Sequence, residues 1–286
     1  MCIRDRLGSV WARLGTKVTV VEFLPRIVAM FDEDITLALQ KLLQKQGLKF
    51  HLGTRVESAE KNNGGVRLTA FKGEKKLELE AEKVLVAVGR NPNTEGLGVT
   101  EAGVELDERG CIKTNAERLT NVPGIYAIGD VVAGPMLAHK AEQEAIAAVE
   151  RMAGQSGSVN YDTIPSVVYT APEVAAVGLI EAEAKEKGYE IAIGVFPFQA
   201  NGKALANGDT YGLVKLVINE NTGEILGAHM IGQEVTELLP ELILTKTLRG
   251  TVDDIIGTVH SHPTLSEAIR EASLGARDRA VSYTHL

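Results

Sequence analysis

Lys17-Val18-Thr19-Val20-Val21-Glu22 is a run of β-branched residues that ends on an acid, and its reading sets the fold of everything around it. Branching at Cβ favours the extended backbone, so the run reads as a strand. Upstream, Leu7-Gly8-Ser9-Val10-Trp11-Ala12-Arg13-Leu14-Gly15 reads as the tail of a helix closed by a C′ glycine. Downstream, Asp32-Glu33-Asp34 opens a helix with Ile35, Leu39, Leu42 and Leu43 on one face. Its acids come early, Lys41 and Lys45 come late, and Gly47 ends it, as the helix dipole favours. The segment from Leu48 to Leu52 is the next strand. Strand, crossover helix and strand make a βαβ unit of the Rossmann type. In such units an acid at the end of this strand accepts hydrogen bonds from the adenosine ribose and repels a 2′-phosphate. That makes Glu22 a candidate NAD contact. The glycine-rich phosphate loop belongs just before the first helix and is not there; Gly8 is at most its remnant.

The chain has 286 residues, enough for two or more domains. Its net charge of -8 argues against a nucleic-acid partner, because phosphate binding needs a basic face. No apolar run approaches the roughly 20 residues that span a bilayer, so no membrane partner is expected. Cys2 and Cys111 form no CxxC-type pair, which excludes a disulfide framework. Residues 1–6 and 281–286 read as non-native ends: Met1 to Arg6 gives neither a signal peptide nor a helix start, and Val281 to Leu286 breaks the preceding helical pattern. On that reading the frame is an internal fragment whose N-terminal part is missing.

From Val56 to Glu82 the pattern alternates every two residues, with turns at Gly64-Gly65 and Lys72-Gly73-Glu74, and predicts an antiparallel meander. Lys83-Val84-Leu85-Val86-Ala87-Val88 is a continuous apolar run, expected as a strand buried on both faces. It runs into Gly89-Arg90-Asn91-Pro92-Asn93, where Gly89 serves either a simple turn or the close approach of a ligand to the backbone. Residues 96 to 122 read as polar hairpin material around Asp107-Glu108-Arg109-Gly110. Ile125-Tyr126-Ala127-Ile128-Gly129-Asp130 repeats the theme of strand, glycine and acid; Asp130 either accepts from a ribose or ribityl hydroxyl or caps the next turn of the chain. A long helix then runs from about Leu137 to Met152 and ends at Gly154. Its N-terminal amides offer an anion or flavin-ring site.

Pro165 to Gly275 has another character. Strands are expected at Ile191–Phe198, Gly212–Ile218 and Glu224–Ile231, and helices at 181–187, 234–248, 252–258 and 264–274. Strands followed by helices give an α+β domain. Within it, His260-Ser261-His262-Pro263-Thr264-Leu265-Ser266-Glu267 puts a proline in what reads as the first turn of a helix. His262 then stands at the helix entry and Glu267 about one turn inside, where a carboxylate can fold back on the imidazole and fix its tautomer.

Gly129-Asp130 with Gly134-Pro135-Met136-Leu137-Ala138-His139-Lys140-Ala141-Glu142 resembles the second flavin motif of the flavoprotein disulfide reductases. Taken with His260 to Glu267, the pattern is most similar to the dihydrolipoamide dehydrogenases among them, over about residues 7 to 280. The resemblance implies an α/β fold: a truncated Rossmann-type NAD domain (7–88), the C-terminal part of an FAD domain (89–160) and an α+β dimerisation domain (161–280). It implies FAD and NAD as cofactors and a homodimer. As partners it implies the lipoyl domains of 2-oxoacid dehydrogenase or glycine cleavage complexes.

By the same resemblance His262 is the base that takes a proton from a dihydrolipoamide thiol, and Glu267 orients it. His260 is assigned a structural role. Asp130 holds the ribityl chain, while Met136, Leu137, Ala138 and His139 border the flavin. Glu22, Val56 and Gly89 match NAD contacts; Val56 has no local signal of its own and otherwise reads as a core valine. The N-terminal flavin fold and the redox cysteine pair are absent from the sequence, and neither Cys2 nor Cys111 substitutes. The chain alone is therefore expected neither to retain FAD tightly nor to turn over lipoamide. A glutathione-reductase-like NADPH enzyme is the nearest rival, but Glu22 stands where arginines would be needed and Arg26 is the one basic residue close behind it. A mercuric-type reductase has no obvious use for the histidine. A non-catalytic dimerisation module is the reading from another class. The compartment implied is the mitochondrial matrix, with a bacterial cytoplasm as the alternative.

Overall fold

The computed structural model describes residues 3–279, and its chain forms two compact units. Residues 87–164 make one; the residues before 87 and from 165 onward make the other.

In the larger unit, helix α1 (Ile3–Arg13) ends at Gly15, whose φ of +95° supplies the left-handed closure. Strand β1 (Thr19–Val21), helix α2 (Glu33–Lys45) and strand β2 (Lys49–His51) come next, with β1 and β2 parallel in the register Thr19↔Lys49. Asp32 caps α2 by accepting from the Asp34 amide at 3.2 Å, and Ile35, Leu39 and Leu43 are fully buried. The crossover read from the sequence is there. The N-terminus differs from expectation, because α1 already begins at Ile3. Arg6 donates to the Val167 carbonyl at 3.1 Å and stacks over the Tyr169 ring, contacts that hold a helical turn where none was foreseen. The segment 281–286 lies outside the described residues.

The meander forms as β3 (Arg55–Asn62), β4 (Gly65–Lys72) and β5 (Lys75–Ala81), a separate antiparallel sheet in that order. Residues 83–88 do not form the expected buried strand: Val86 is 75% exposed and Val88 94%. The parallel sheet consists of β1 and β2 only, so no described strand offers 83–88 a ladder.

The unit 87–164 is built from short bridges, a 3₁₀ turn at Gly129–Val131 and helix α3 (Ala138–Met152). Asp107 closes the 107–111 turn, its Oδ1 accepting from the Arg109 and Cys111 amides at 2.8 and 2.9 Å. Ile125–Ile128 is likewise no full strand; Tyr126 makes a single bridge to Leu119. Both shortfalls have one cause. An apolar run becomes a strand only when a neighbour takes its amides and carbonyls.

From residue 165 the larger unit resumes with β6 (Ser166–Val168), β7 (Glu173–Gly178), α4 (Glu181–Glu186), β8 (Ile191–Pro197), α5 (Gly202–Asn207), β9 (Leu213–Asn219), β10 (Ile225–Gly232), α6 (Val235–Thr247), α7 (Val252–Gly257) and α8 (Glu267–Gly275). The sheet order is β6-β7-β10-β9-β8, with every pair antiparallel. β6, β7 and α5 went unread in the sequence. Every residue of β10 is buried, because both faces of the sheet are covered. One face packs Val214, Leu216 and Met230 against Leu239, Ile269 and Ala272 of α6 and α8. The other packs Val168, Val174 and Ile231 against Phe31, Ile35 and Leu39 of the crossover. Each such large aliphatic side chain contributes about 1.5–3 kcal/mol on burial. Gly194 lets α8 lie directly on β8: a Cβ there would fall 1.9 Å from the Ala272 carbonyl oxygen.

Candidate active site and cofactor contacts

The C-terminal site is a loop pinned at three points. His260 is anchored, its Nε2 2.8 Å from Glu241 Oε1 on α6 and its Nδ1 3.1 Å from the Thr258 carbonyl, with a side chain only 6% exposed. Asn201, at the start of α5, donates to the Thr264 carbonyl at 3.0 Å. Thr264 Oγ1 donates to the Ser261 carbonyl at 2.8 Å. Between these anchors His262 projects outward, 78% exposed, with Nδ1 2.9 Å from Glu267 Oε1. The pairing read from the sequence is present, and so is the structural placement of His260.

The local route to it differs from the expected one. Pro263 is not in the first turn of a helix; it comes after a cis peptide bond from His262, and α8 starts only at Glu267. The Thr264 amide donates to Glu267 Oε2 at 2.8 Å, and the chain enters α8 through i→i−3 bonds from Ala268 to Leu265 and from Ile269 to Ser266. Glu267 therefore uses one oxygen to hold the loop and the other to hold the imidazole. Burial raises the Glu267 pKa, but the Thr264 amide and His262 outweigh it and leave the carboxyl below its usual value. A carboxylate at Nδ1 leaves Nε2 as the ring's acceptor. A cavity of about 240 Å³ opens beside His260 and Glu267, lined also by Val259 and Arg270.

Glu22 continues the β1 ladder at its carboxyl end, its amide donating to His51 at 3.0 Å. Its carboxylate accepts from the Leu24 amide at 2.9 Å and pairs with Arg4. Arg26 donates to the Ala29 carbonyl at 3.0 Å, so that guanidinium serves the chain itself. Val56 is on β3 and 46% exposed, which corrects its alternative reading as a core valine. An acceptor at the end of a parallel strand suits ribose hydroxyls and is the wrong sign for a 2′-phosphate.

In the unit 87–164, Gly129 adopts φ +75° and Asp130 comes next on the 3₁₀ turn. Arg90 donates to Asp130 Oδ2 at 2.5 Å and to the Met136 carbonyl at 3.4 Å, which brings the segment after Gly89 to the Gly129–Met136 stretch. Gly89 has φ +138°, a conformation suited to glycine. Leu137 is the N-cap of α3 and gives its first-turn amides no side-chain acceptor. Met136, Leu137 and His139 are half-buried there and Ala138 is exposed. An exposed-edge carboxylate beside uncapped helix amides is a donor and acceptor set that fits the hydroxyls and ring carbonyls of a flavin. Lys140 and Glu144 were missed in the sequence although their i,i+4 spacing on the helix was readable. Both are fully buried and bind Gly129.

Two family models match the chain. The model described as "Pyridine nucleotide-disulphide oxidoreductase" matches residues 6–145, and the one for the same family's dimerisation domain matches residues 164–273. The chain belongs to the pyridine nucleotide-disulphide oxidoreductase family. It is 46% identical over 278 residues to dihydrolipoyl dehydrogenase 1, mitochondrial, of Arabidopsis thaliana, covering 96% of this chain and 55% of that protein. With the mitochondrial dihydrolipoyl dehydrogenase of Bos taurus it shares 48% identity over 274 residues, 94% of this chain and 54% of the other. Among solved structures, LpdA of Mycobacterium tuberculosis superimposes with a TM-score of 0.86 at 26% identity, over 94% of this chain and 58% of that one. The chain spans about half the length of the curated relatives it matches.

Proposed function

We propose that the chain is the C-terminal portion of an NAD-linked dihydrolipoyl dehydrogenase. The observation that carries this reading is the His262–Glu267 pair at 2.9 Å, presented on an anchored loop of a dimerisation domain. When bound, FAD supplies the two-electron chemistry between thiol and nicotinamide. Asp130 and the first turn of α3 would hold it, and Glu22, Val56 and Gly89 would serve NAD.

The residues of this chain handle the proton. Glu267 holds Nδ1–H and keeps Nε2 free as acceptor. A dihydrolipoamide thiol that reaches Nε2 gives up its proton there, and the resulting thiolate attacks a disulfide sulfur. The imidazolium is stabilised by the Glu267 carboxylate until the proton leaves. The disulfide is supplied by neither Cys111, which is buried, nor Cys2. The lipoyl substrate would be carried by the lipoyl domains of 2-oxoacid dehydrogenase or glycine cleavage complexes. The working form would be a homodimer, in the mitochondrial matrix or, alternatively, a bacterial cytoplasm.

Three experiments test the reading. The isolated chain, gel-filtered after incubation with FAD, is expected to emerge colourless and without diaphorase activity; a stoichiometric yellow protein that oxidises NADH contradicts this. Joined to an upstream half like that of its relatives, it is expected to prefer NAD over NADP. A preference for NADP would favour the glutathione-reductase-like reading instead. Light scattering tests dimerisation, and a strictly monomeric joined protein would count against it.

A further inference from the structure

We infer that Glu144 is a positioning residue whose buried carboxylate, paired with Lys140, sets the Gly129 turn that aims Asp130 at the hydroxyls of a bound flavin. The inference rests on the flavin reading of this unit and names residues that reading did not use.

Glu144 is fully buried near the middle of α3, yet both its oxygens are taken. Oε2 accepts the Gly129 amide at 2.8 Å and the Lys140 ammonium at 3.2 Å. Oε1 accepts the Tyr161 hydroxyl at 2.6 Å and lies 3.4 Å from an Arg118 nitrogen. Lys140, also fully buried, donates at 2.8 Å to the carbonyl of the same glycine. The two polar groups of Gly129 are thus held by two oppositely charged side chains one helical turn apart. Charge-assisted bonds of this kind are about twice as strong as neutral ones, and breaking them here strands a buried ion.

The consequence is local. Gly129 is in the left-handed region, with φ +75°, and Asp130 is the next residue. Holding both sides of that glycine fixes where the Asp130 carboxylate leaves the chain. Tyr161 adds a sign of how strong the local field is: burial and the Glu144 carboxylate push its phenol up to about 12. Arg118 stacks over the Tyr161 ring at 5.0 Å and closes the network. Asp130 itself is paired with Arg90 and takes no part in the network, so the two can be perturbed separately.

The test uses the chain joined to an upstream half like that of its relatives, with Glu144→Gln, Tyr161→Phe and, as a core control, Val217→Ala, a buried residue of the other unit. Two readouts are taken: hydrogen exchange of the Gly129 amide, and FAD titrated in excess and followed by flavin fluorescence. Glu144→Gln is expected to speed Gly129 exchange and weaken FAD binding, each by about tenfold. Tyr161→Phe, which leaves the Gly129 bonds in place, is expected to shift both by much less. Val217→Ala should lower the melting temperature without changing FAD affinity. Wild-type exchange and affinity in a folded Glu144→Gln would overturn the inference, as would an equal loss of affinity in Val217→Ala. If Gly129 exchange responds but the wild type gives no FAD signal at all, the flavin reading of the site fails, and the ligand assigned to this turn fails with it.

Discussion

Among single residues, the decisive one is Glu267, divided between a backbone amide and an imidazole. Its carboxyl sits below the usual value, and two of the groups that lower it are the Thr264 amide and His262. Replacing His262 with Gln is therefore expected to raise the Glu267 pKa, as read by carboxyl-carbon NMR titration. No upward movement would mean that the 2.9 Å contact is not made in solution. Tyr161 gives a second expectation for one side chain. Burial and the Glu144 carboxylate hold its phenol up to about 12, so a tyrosine titrating there by absorbance should vanish in Tyr161→Phe. The sequence revealed His262, Glu267, Glu22 and Asp130 because each ends a readable local pattern. The i,i+4 spacing of Lys140 and Glu144 was readable, but their shared hold on Gly129 was not, because a backbone partner leaves no mark in side-chain spacing.

Among the elements, the least foreseen feature is a lysine in the middle of a sheet. Lys215 of β9, 2% exposed, reaches Asp32, Asp34 and Glu181 at 2.8, 2.6 and 2.7 Å and so ties α2 to the sheet and to α4. The sequence puts Lys215 inside the expected strand Gly212–Ile218, and only tertiary packing shows that both faces are covered. Lys215→Ala should destabilise the chain by about 3–5 kcal/mol in urea unfolding, since Asp32 is left buried and unpaired. Acid should erase part of that difference. Burial raises the Asp32 pKa, but Lys215 and the Glu181 amide outweigh it, so the folded value is low. The stability this contributes is present above the unfolded value of 3.8 and is lost as pH falls through the folded one. The gap between wild type and Lys215→Ala should accordingly shrink in acid. His229, cross-strand from Lys215, has its pKa lowered by burial; its Nε2 meets the Leu179 carbonyl at 2.9 Å and its Nδ1 finds no partner. Its contribution is complete above 6.5 and fades as pH drops below that value, which His229→Gln should flatten. Segment 83–88 behaves in the opposite way. Val88 is 94% exposed, so Val88→Lys should change the stability of the chain by no more than about 0.5 kcal/mol in urea unfolding, and it should improve solubility.

Across the whole molecule, the proposed function divides the work between a crossover ending on Glu22, the unit that carries Asp130, and a dimerisation domain that carries His262. The βαβ crossover and most of the α+β domain were legible because each buries its apolar pattern against partners within the chain, and the meander because its three strands pair with one another. The runs at 83–88 and 125–128 were misread as strands because the same apolar signal needs a neighbour to complete it, and no described strand provides one. The proposed function stands or falls with His262, oriented by Glu267, as the base for a lipoyl thiol. Its sharpest test is dihydrolipoamide-dependent reduction of NAD by the chain joined to an upstream half like that of its relatives, with and without His262→Gln. In the variant kcat is expected to fall by about 10²–10⁴ while FAD content stays the same. A variant that keeps the unsubstituted protein's kcat would contradict the assignment of His262 as the base.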